Sequence, residues 1–230
     1  ISAQCVNASS LSLTGGTPSG GSYFGTGVSG ASFDPSVAGV GTHLISYTVT
    51  NAFGCSDTAS QSVVVNSAPT AALGTFTGVC SNDSSFTLSG GSPAGGSYSG
   101  TGVSSGVFNP TSAGVGTHLI TYTVTNSNSC SASASQNITV SSSPTALLAG
   151  MSPFCVDATS VPLTGGSPSG GTYFGPGVLG SVFVPSLAGA GTHVISYTVS
   201  NSGCSDTASV NQIVYAVPNV NWPQVGPYCA

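Results

Sequence analysis

The chain has 230 residues, with no Lys or Arg, three His, and five acids that are all Asp, giving a formal charge of −5 on a mean hydropathy of +0.33. Without cations it has no phosphate clamp and no footprint that displaces counterions, which excludes nucleic acid as a partner. With only Asp34, Asp57, Asp83, Asp157 and Asp206 as carboxylates, acid-base chemistry has almost no material, so neither an enzyme nor a cofactor is expected.

In chain order, short β-type runs occur at Leu11 to Leu13, Ser22 to Phe24 and Ala31 to Phe33. A longer strand follows, in which His43, Ile45, Tyr47 and Val49 alternate with Leu44, Ser46 and Thr48. Such period-two alternation marks a strand with one buried face. Gln61 to Val65 is the next run. Gly, Pro, Ser or Asn separate them, and no stretch keeps a 3.6 period without interruption, so no helix is expected. No run reaches the roughly 18 apolar residues of a membrane span, and no basic-then-apolar signal segment opens the chain.

The same text then returns twice. GGTPSGGSYFGTGV from Gly15 becomes GGSPAGGSYSGTGV from Gly90 and GGSPSGGTYFGPGV from Gly165, while AGVGTHLISYTVTN from Ala38 becomes AGVGTHLITYTVTN from Ala113 and AGAGTHVISYTVSN from Ala188. The unit of explanation is therefore a module. The expected modules are 1–66, lacking its leading strand, then 67–141 and 142–216, with 217–230 the lead-in strand of a fourth. GTGVSG at Gly25 and GPGVLG at Gly175 match GxGxxG in letters only, because no helix or βαβ unit accompanies them. They are expected to be turns.

Seven cysteines fit the period. The expected pairs are Cys5 with Cys55, Cys80 with Cys130 and Cys155 with Cys204, because a repeat that closes on itself allows an array of any length. Cys229 reads as the first cysteine of a further copy. Disulfides imply an oxidising, extracellular or cell-surface setting. Zinc is not expected, since no CxxC exists and each copy has two thiols and one His. Calcium is not expected either, because no carboxylate recurs in all three copies. His43, His118 and His193 are each alone on a strand and read as structural, through packing or a backbone hydrogen bond. These elements predict an all-β chain, a tandem array of three small antiparallel β-sandwiches, each with one internal disulfide; the resemblance given next makes them Ig-like.

GTHLISYTVTN resembles the strand-F signature of PKD-like and immunoglobulin-like domains. The whole repeat, with its GGxYxGxGV phrase, resembles the Ig-like repeats of giant cell-surface and secreted adhesin-type proteins of Bacteroidota, over essentially the full chain. That resemblance implies adhesin or surface-fibre modules. His43, His118 and His193 stand where the relatives carry Tyr. Asp57-Thr58-Ala59 and Asp206-Thr207-Ala208 resemble the D-[ST]-[apolar] O-glycosylation motif of the same phylum, which nominates Thr58 and Thr207.

The expected function is a structural one: an extracellular fibre, filament, sheath or adhesin stalk, whose partners are copies of itself in longitudinal and lateral assembly. The rival is a carbohydrate-binding module in which Tyr23, Tyr98 and Tyr173, recurring in the Gly-rich segments, stack on glycans. The first copy lacks a leading strand and the tail, Val217 to Tyr228, carries a spare one, so strand donation between subunits is one expectation. The other is that these residues are a window on a longer array.

Overall fold

The computed structural model describes residues 1–222 and Gly226; Cys229, assigned above to a further copy, lies outside them. Contacts divide the chain into two compact units. The first comprises Ile1–Thr77, Ser84–Ala113 and Thr117–Ile138, and the second Gly78–Asp83, Gly114–Gly116 and Thr139–Ala230.

The first unit contains residues 1–66, the first repeat. Its larger sheet runs Gln4–Cys5, Ser56–Asn66, Gly41–Thr50, Ser22–Phe24 in space, and its smaller one Leu11–Ser12, Ser32–Phe33, Val28–Ser29. The two sheets enclose Leu13, Phe33, Ile45, Val63 and Val65, all buried. The alternation read from the sequence places Ile45 in this core and leaves Leu44 60% exposed. The short strand Gln4–Cys5 pairs parallel with the far end of the last strand, Cys5 opposite Asn66.

Elements of the second repeat complete that unit. Phe86–Thr87, Val107–Phe108 and Val103–Ser104 form a three-stranded sheet. Ser97–Ser99 pairs with residues Thr121 to Thr123 of the strand Gly116–Thr125. Ala72–Leu73 pairs antiparallel with Gly91–Ser92. In the second unit the third repeat repeats the first: Phe154–Cys155, Cys204–Tyr215, Gly191–Asn201 and Thr172–Phe174 face Val161–Pro162, Val182–Phe183 and Val178–Leu179 across Leu163, Phe183, Ile195 and Val214. Leu147–Leu148 pairs with Gly166–Ser167.

The expectation of no helix needs correction. Single helical turns form at Pro35–Ala38, Pro110–Ala113 and Pro185–Ala188. They are too short to show a period. They are set by their ends: Asp34 accepts from the Ser36 and Val37 N–H groups, Pro35 supplies the preset φ of the first position, and Gly39 at φ 80° closes the turn.

The Ser36 hydroxyl, and then the Ser36 and Val37 N–H groups, hold the Asp34 carboxyl below its ordinary value. A depressed folded pKa means that the cap contributes fully above the ordinary carboxylate range and is lost as pH falls through the folded value. Carboxyl-carbon NMR is expected to place the Asp34 midpoint below the ordinary carboxylate value, and the Asp34→Asn variant, which copies Asn109 of the second repeat, is expected to lose that acid dependence of the turn.

Candidate functional site

Each large hairpin presents a row of paired hydroxyls. In the first repeat Ser46, Thr48 and Thr50 lie opposite Ser60, Thr58 and Ser56, with oxygen separations of 2.8, 2.7 and 2.9 Å. Thr121, Thr123 and Thr125 repeat the arrangement with Ser135, Ser133 and Ser131 at 2.9, 2.8 and 2.8 Å. Cross-strand hydroxyl pairs thus occupy places where other sheets put ion pairs. Thr58 and Thr207, the nominated glycan acceptors, are exposed members of this row, bonded to Thr48 and to Thr198 at 2.7 and 2.6 Å.

The tyrosines of the Gly-rich segments are half-buried. Tyr23 packs against Tyr47 with centroids 4.7 Å apart, Tyr98 against Tyr122 at 4.9 Å and Tyr173 against Tyr197 at 4.7 Å, the rings of each pair tilted by 48°, 49° and 45°. Their phenol oxygens accept from the Gly16, Gly91 and Gly166 N–H groups, each at 2.8 Å. The outward rings are the neighbours Phe24 and Phe174, at 50% and 48% exposure, with Ser99 in the second repeat. His43 and His193 donate from Nε2 to the carbonyls of Gly39 and Gly189 at 2.8 Å; a carbonyl only accepts, so Nε2 carries the proton. His118 packs its ring against Phe108 with centroids 6.5 Å apart. The Tyr47 hydroxyl accepts from the Gly21 N–H and donates to the Pro18 carbonyl, both at 2.8 Å.

The cysteines depart from the expected pattern. Cys5 is bonded to Cys130 and Cys80 to Cys204, each with its Cα atoms 5.6 Å apart, so both disulfides join one repeat to the next. Cys55 and Cys155 are exposed thiols. Closure within a repeat, Cys5 to Cys55, Cys80 to Cys130 and Cys155 to Cys204, is overturned. The reason is the length of the last strand. Cys5 sits beside Asn66, whereas Cys55 precedes the other end of Ser56–Asn66. An 11-residue strand at about 3.3 Å per residue separates the two cysteines by roughly 35 Å, far outside disulfide reach.

Polar contacts reinforce each covalent joint. In the first unit Asn7 donates to the Ser131 carbonyl at 2.9 Å and Asn126 to the Ser67 carbonyl at 2.7 Å. The Asn126 side-chain oxygen also accepts from the Cys130 N–H at 3.0 Å, fixing the turn that delivers the sulfur. In the second unit Asn82 reaches the Ser205 carbonyl at 3.5 Å and Asp206 accepts from the Ala146 N–H at 2.8 Å. Cys130 and Cys204 are 0% and 2% exposed. In the chain-entropy description, closing loops of 125 and 124 residues stabilises the fold by about 5 kcal/mol for each crosslink taken alone. Among the described residues no cluster of three or more His, Cys, Asp or Glu lies close enough to hold a metal ion, and no helix is long and apolar enough to cross a membrane.

The lack of Lys, Arg and Glu makes an Asp-specific protease the natural tool for mapping. After alkylation of free thiols, cleavage before each Asp is expected to leave fragment 1–33 linked to 83–156 and 57–82 linked to 157–205, with alkyl groups on Cys55 and Cys155. Closure within repeats would instead link 1–33 to 34–56.

No protein-family model matches the chain, and no curated protein matches it in sequence. Among solved structures it is similar to the titin I-band fragment I67–I69, at 15% identity over 95% of each chain and a TM-score of 0.33. It is similar to Sidekick-1 immunoglobulin domains 1–5, at 14% identity over 94% of this chain and a TM-score of 0.29, and spans 58% of that chain. A third is a Ca2+-stabilized adhesin that helps an Antarctic bacterium reach out and bind ice, at 15% identity over 91% of this chain and 69% of that one, with a TM-score of 0.30. These neighbours are Ig-domain tandems and an adhesin. At such scores the likeness carries no argument about activity, and the all-β, multiply repeated sandwich described above rests on its own strands and registers.

Proposed function

We propose that this chain is an extracellular structural protein whose Ig-like modules build a surface fibre, filament, sheath or adhesin stalk of the kind that the Bacteroidota resemblance implies. The observation that carries this reading is the pair of disulfides between consecutive repeats, Cys5–Cys130 and Cys80–Cys204. A crosslink that ties each module to the next restrains the joint, where a tandem chain otherwise bends. It also supports an oxidising setting outside the cell. The modules are taken as 1–66, 67–141 and 142–216.

Lateral assembly with further copies is supported by a recurrent apolar position on the outer face of each large hairpin, Leu44, Leu119 and Val194, exposed by 60%, 58% and 54%. Low charge offers little repulsion to oppose such contacts. Glycans on Thr58 and Thr207 would supply the hydration that charge does not. Glycan recognition is the second reading, favoured by the outward Phe24 and Phe174 rings, and binding on a glycan array that is lost in Phe24→Ala and Phe174→Ala would support it.

The structural reading is tested by electron microscopy of the native material before and after reduction. Continuous fibres of constant width that become flexible on reduction are expected; dispersed particles without reductant would sink the reading.

A further inference from the structure

Asp34 is the one acid of the five that precedes a proline. Pro35 has no N–H, so its nitrogen cannot close on the Asp34 side chain to form a succinimide, as another backbone nitrogen could. What the carboxyl can reach instead is its own main-chain carbonyl. Attack there is intramolecular and closes a cyclic anhydride, so its cost in lost freedom is small. The second and third repeats carry Asn109-Pro110 and Val184-Pro185 at these positions, and neither offers a carboxyl.

The fold lays this carboxyl across the Asp34–Pro35 bond and occupies it. Oδ1 accepts from the Ser36 hydroxyl at 2.7 Å, the Ser36 N–H at 2.9 Å and the Val37 N–H at 3.4 Å. An ionised oxygen whose lone pairs serve three donors is a poor nucleophile. The Asp34 carbonyl is fixed as well, accepting from the Ala38 N–H at 3.0 Å. The groups acting on the carboxyl are all neutral: Ser36, Val37 and, from the loop before Leu11, the Ser10 hydroxyl. The titratable group that the adjoining strand packs on the same turn is His43, bonded to the Gly39 carbonyl at its far end.

We propose that the Asp34–Pro35 bond is an acid-released self-cleavage site, guarded by the helical turn that Asp34 caps. Acid removes the charge that the three donors hold, which loosens the guard, and supplies the proton that the leaving nitrogen needs. In the reaction a side-chain oxygen bonds to the Asp34 carbonyl carbon while the Ala38 N–H faces the carbonyl oxygen on which charge develops. The C–N bond breaks, and the Pro35 nitrogen takes a proton and leaves as a secondary amine. Water then opens the anhydride and returns Asp34 as a chain end with two carboxyls, so the net change is the consumption of one water.

The cut falls between the two halves of the first repeat. Leu11–Ser12, Ser22–Phe24, Val28–Ser29 and Ser32–Phe33 precede it, and Gly41–Thr50 and Ser56–Asn66 follow it. The core divides in the same way, Leu13 and Phe33 from Ile45, Val63 and Val65. The pieces remain joined, because Cys5 before the cut is bonded to Cys130 after it. Scission therefore opens one module without parting the chain.

The test incubates the 230-residue chain across a pH series that runs from neutral to below the carboxylate range, beside a free peptide of residues 30–39. Products are read by mass spectrometry and on gels with and without reductant, and a far-ultraviolet spectrum is taken at each pH. One band is expected without reductant and two with it, 1–34 and 35–230, with an onset at lower pH than in the peptide and while the spectrum is still native. Asp34→Asn is expected to abolish scission. Ser36→Ala, which removes one donor, is expected to move the onset up toward that of the peptide, and Asn109→Asp to add a second cut before Pro110. A wild-type chain that stays whole throughout the series, or scission that persists in Asp34→Asn, overturns the site. An onset shared by the chain, Ser36→Ala and the peptide, or one that coincides with loss of the native spectrum, overturns the turn as its guard.

Discussion

Pulled from its ends with both disulfides intact, the chain will withhold about 150 residues from extension, roughly 500 Å of contour at 3.3–3.6 Å per residue, and reduction will release them. The steps will be unequal. Cys5–Cys130 alone closes a loop of 125 residues and Cys80–Cys204 alone one of 124. The loops overlap between Cys80 and Cys130, so adding the second crosslink to the first withholds only about 25 further residues. With both in place, the taut covalent path from Cys5 to Cys204 runs backward through the second repeat. Crosslinks confined within repeats would add independent steps of about 50 residues each. Single-molecule extension of the wild type and of the Cys80→Ser and Cys5→Ser variants reads this directly, and additive steps would refute the interleaved pairing.

Gly96→Ala will destabilise the second repeat by about 3 kcal/mol, the range of an overpacked core. A Cβ at Gly96 meets the Tyr122 ring carbon Cζ at 2.4 Å and the Thr123 carbonyl at 2.5 Å. The ring is held from both sides, accepting from Gly96 N–H at 2.7 Å and donating to the Pro93 carbonyl. It therefore has nowhere to move. The neighbouring substitution is the control: Gly95 has φ +93° and open space around a Cβ, so Gly95→Ala costs only the left-handed backbone, about 1 kcal/mol. Calorimetry with the disulfides intact should show the Gly96→Ala transition well below that of Gly95→Ala. Equal shifts would mean that backbone conformation, and not approach to the tyrosine, is what the glycine provides.

The strands of the first repeat were legible because their causes are local. Alternation from His43 to Val49 marks a strand with one buried face, and Ser22 to Phe24 forms where Gly and Pro bound it. The inward Tyr and outward Phe of Tyr23-Phe24 follow from the same period. The helical turn at Pro35–Ala38 was also written locally, as Asp34, Pro35 and Gly39 in sequence, but in the vocabulary of caps and not of periodicity. Cysteine pairing was not legible, for a reason that belongs to repeats as such. Any offset that pairs one copy correctly recurs in every copy, so the spacing of Cys5, Cys55 and Cys130 is equally regular for either choice. What decides is that the last strand carries the chain away from Cys55 toward Cys5, a fact about which end of Ser56–Asn66 meets Gln4–Cys5.

The interleaved crosslinks also set a clock. When the first repeat has emerged from synthesis or export, Cys5 and Cys55 are the only thiols in it, and an unfolded chain brings them together readily because roughly 50 intervening residues close at little entropic cost. The native hairpin forbids that encounter by holding them about 35 Å apart. Cys5 must then wait until Cys130, 125 residues beyond it in the chain, has followed and the second repeat has taken shape. Correct oxidation is therefore conditional on folding having come first, and a chain oxidised too early is trapped in loops that its own strands cannot accommodate. Each bond between repeats is in this sense a record that both of its neighbours had folded before it closed.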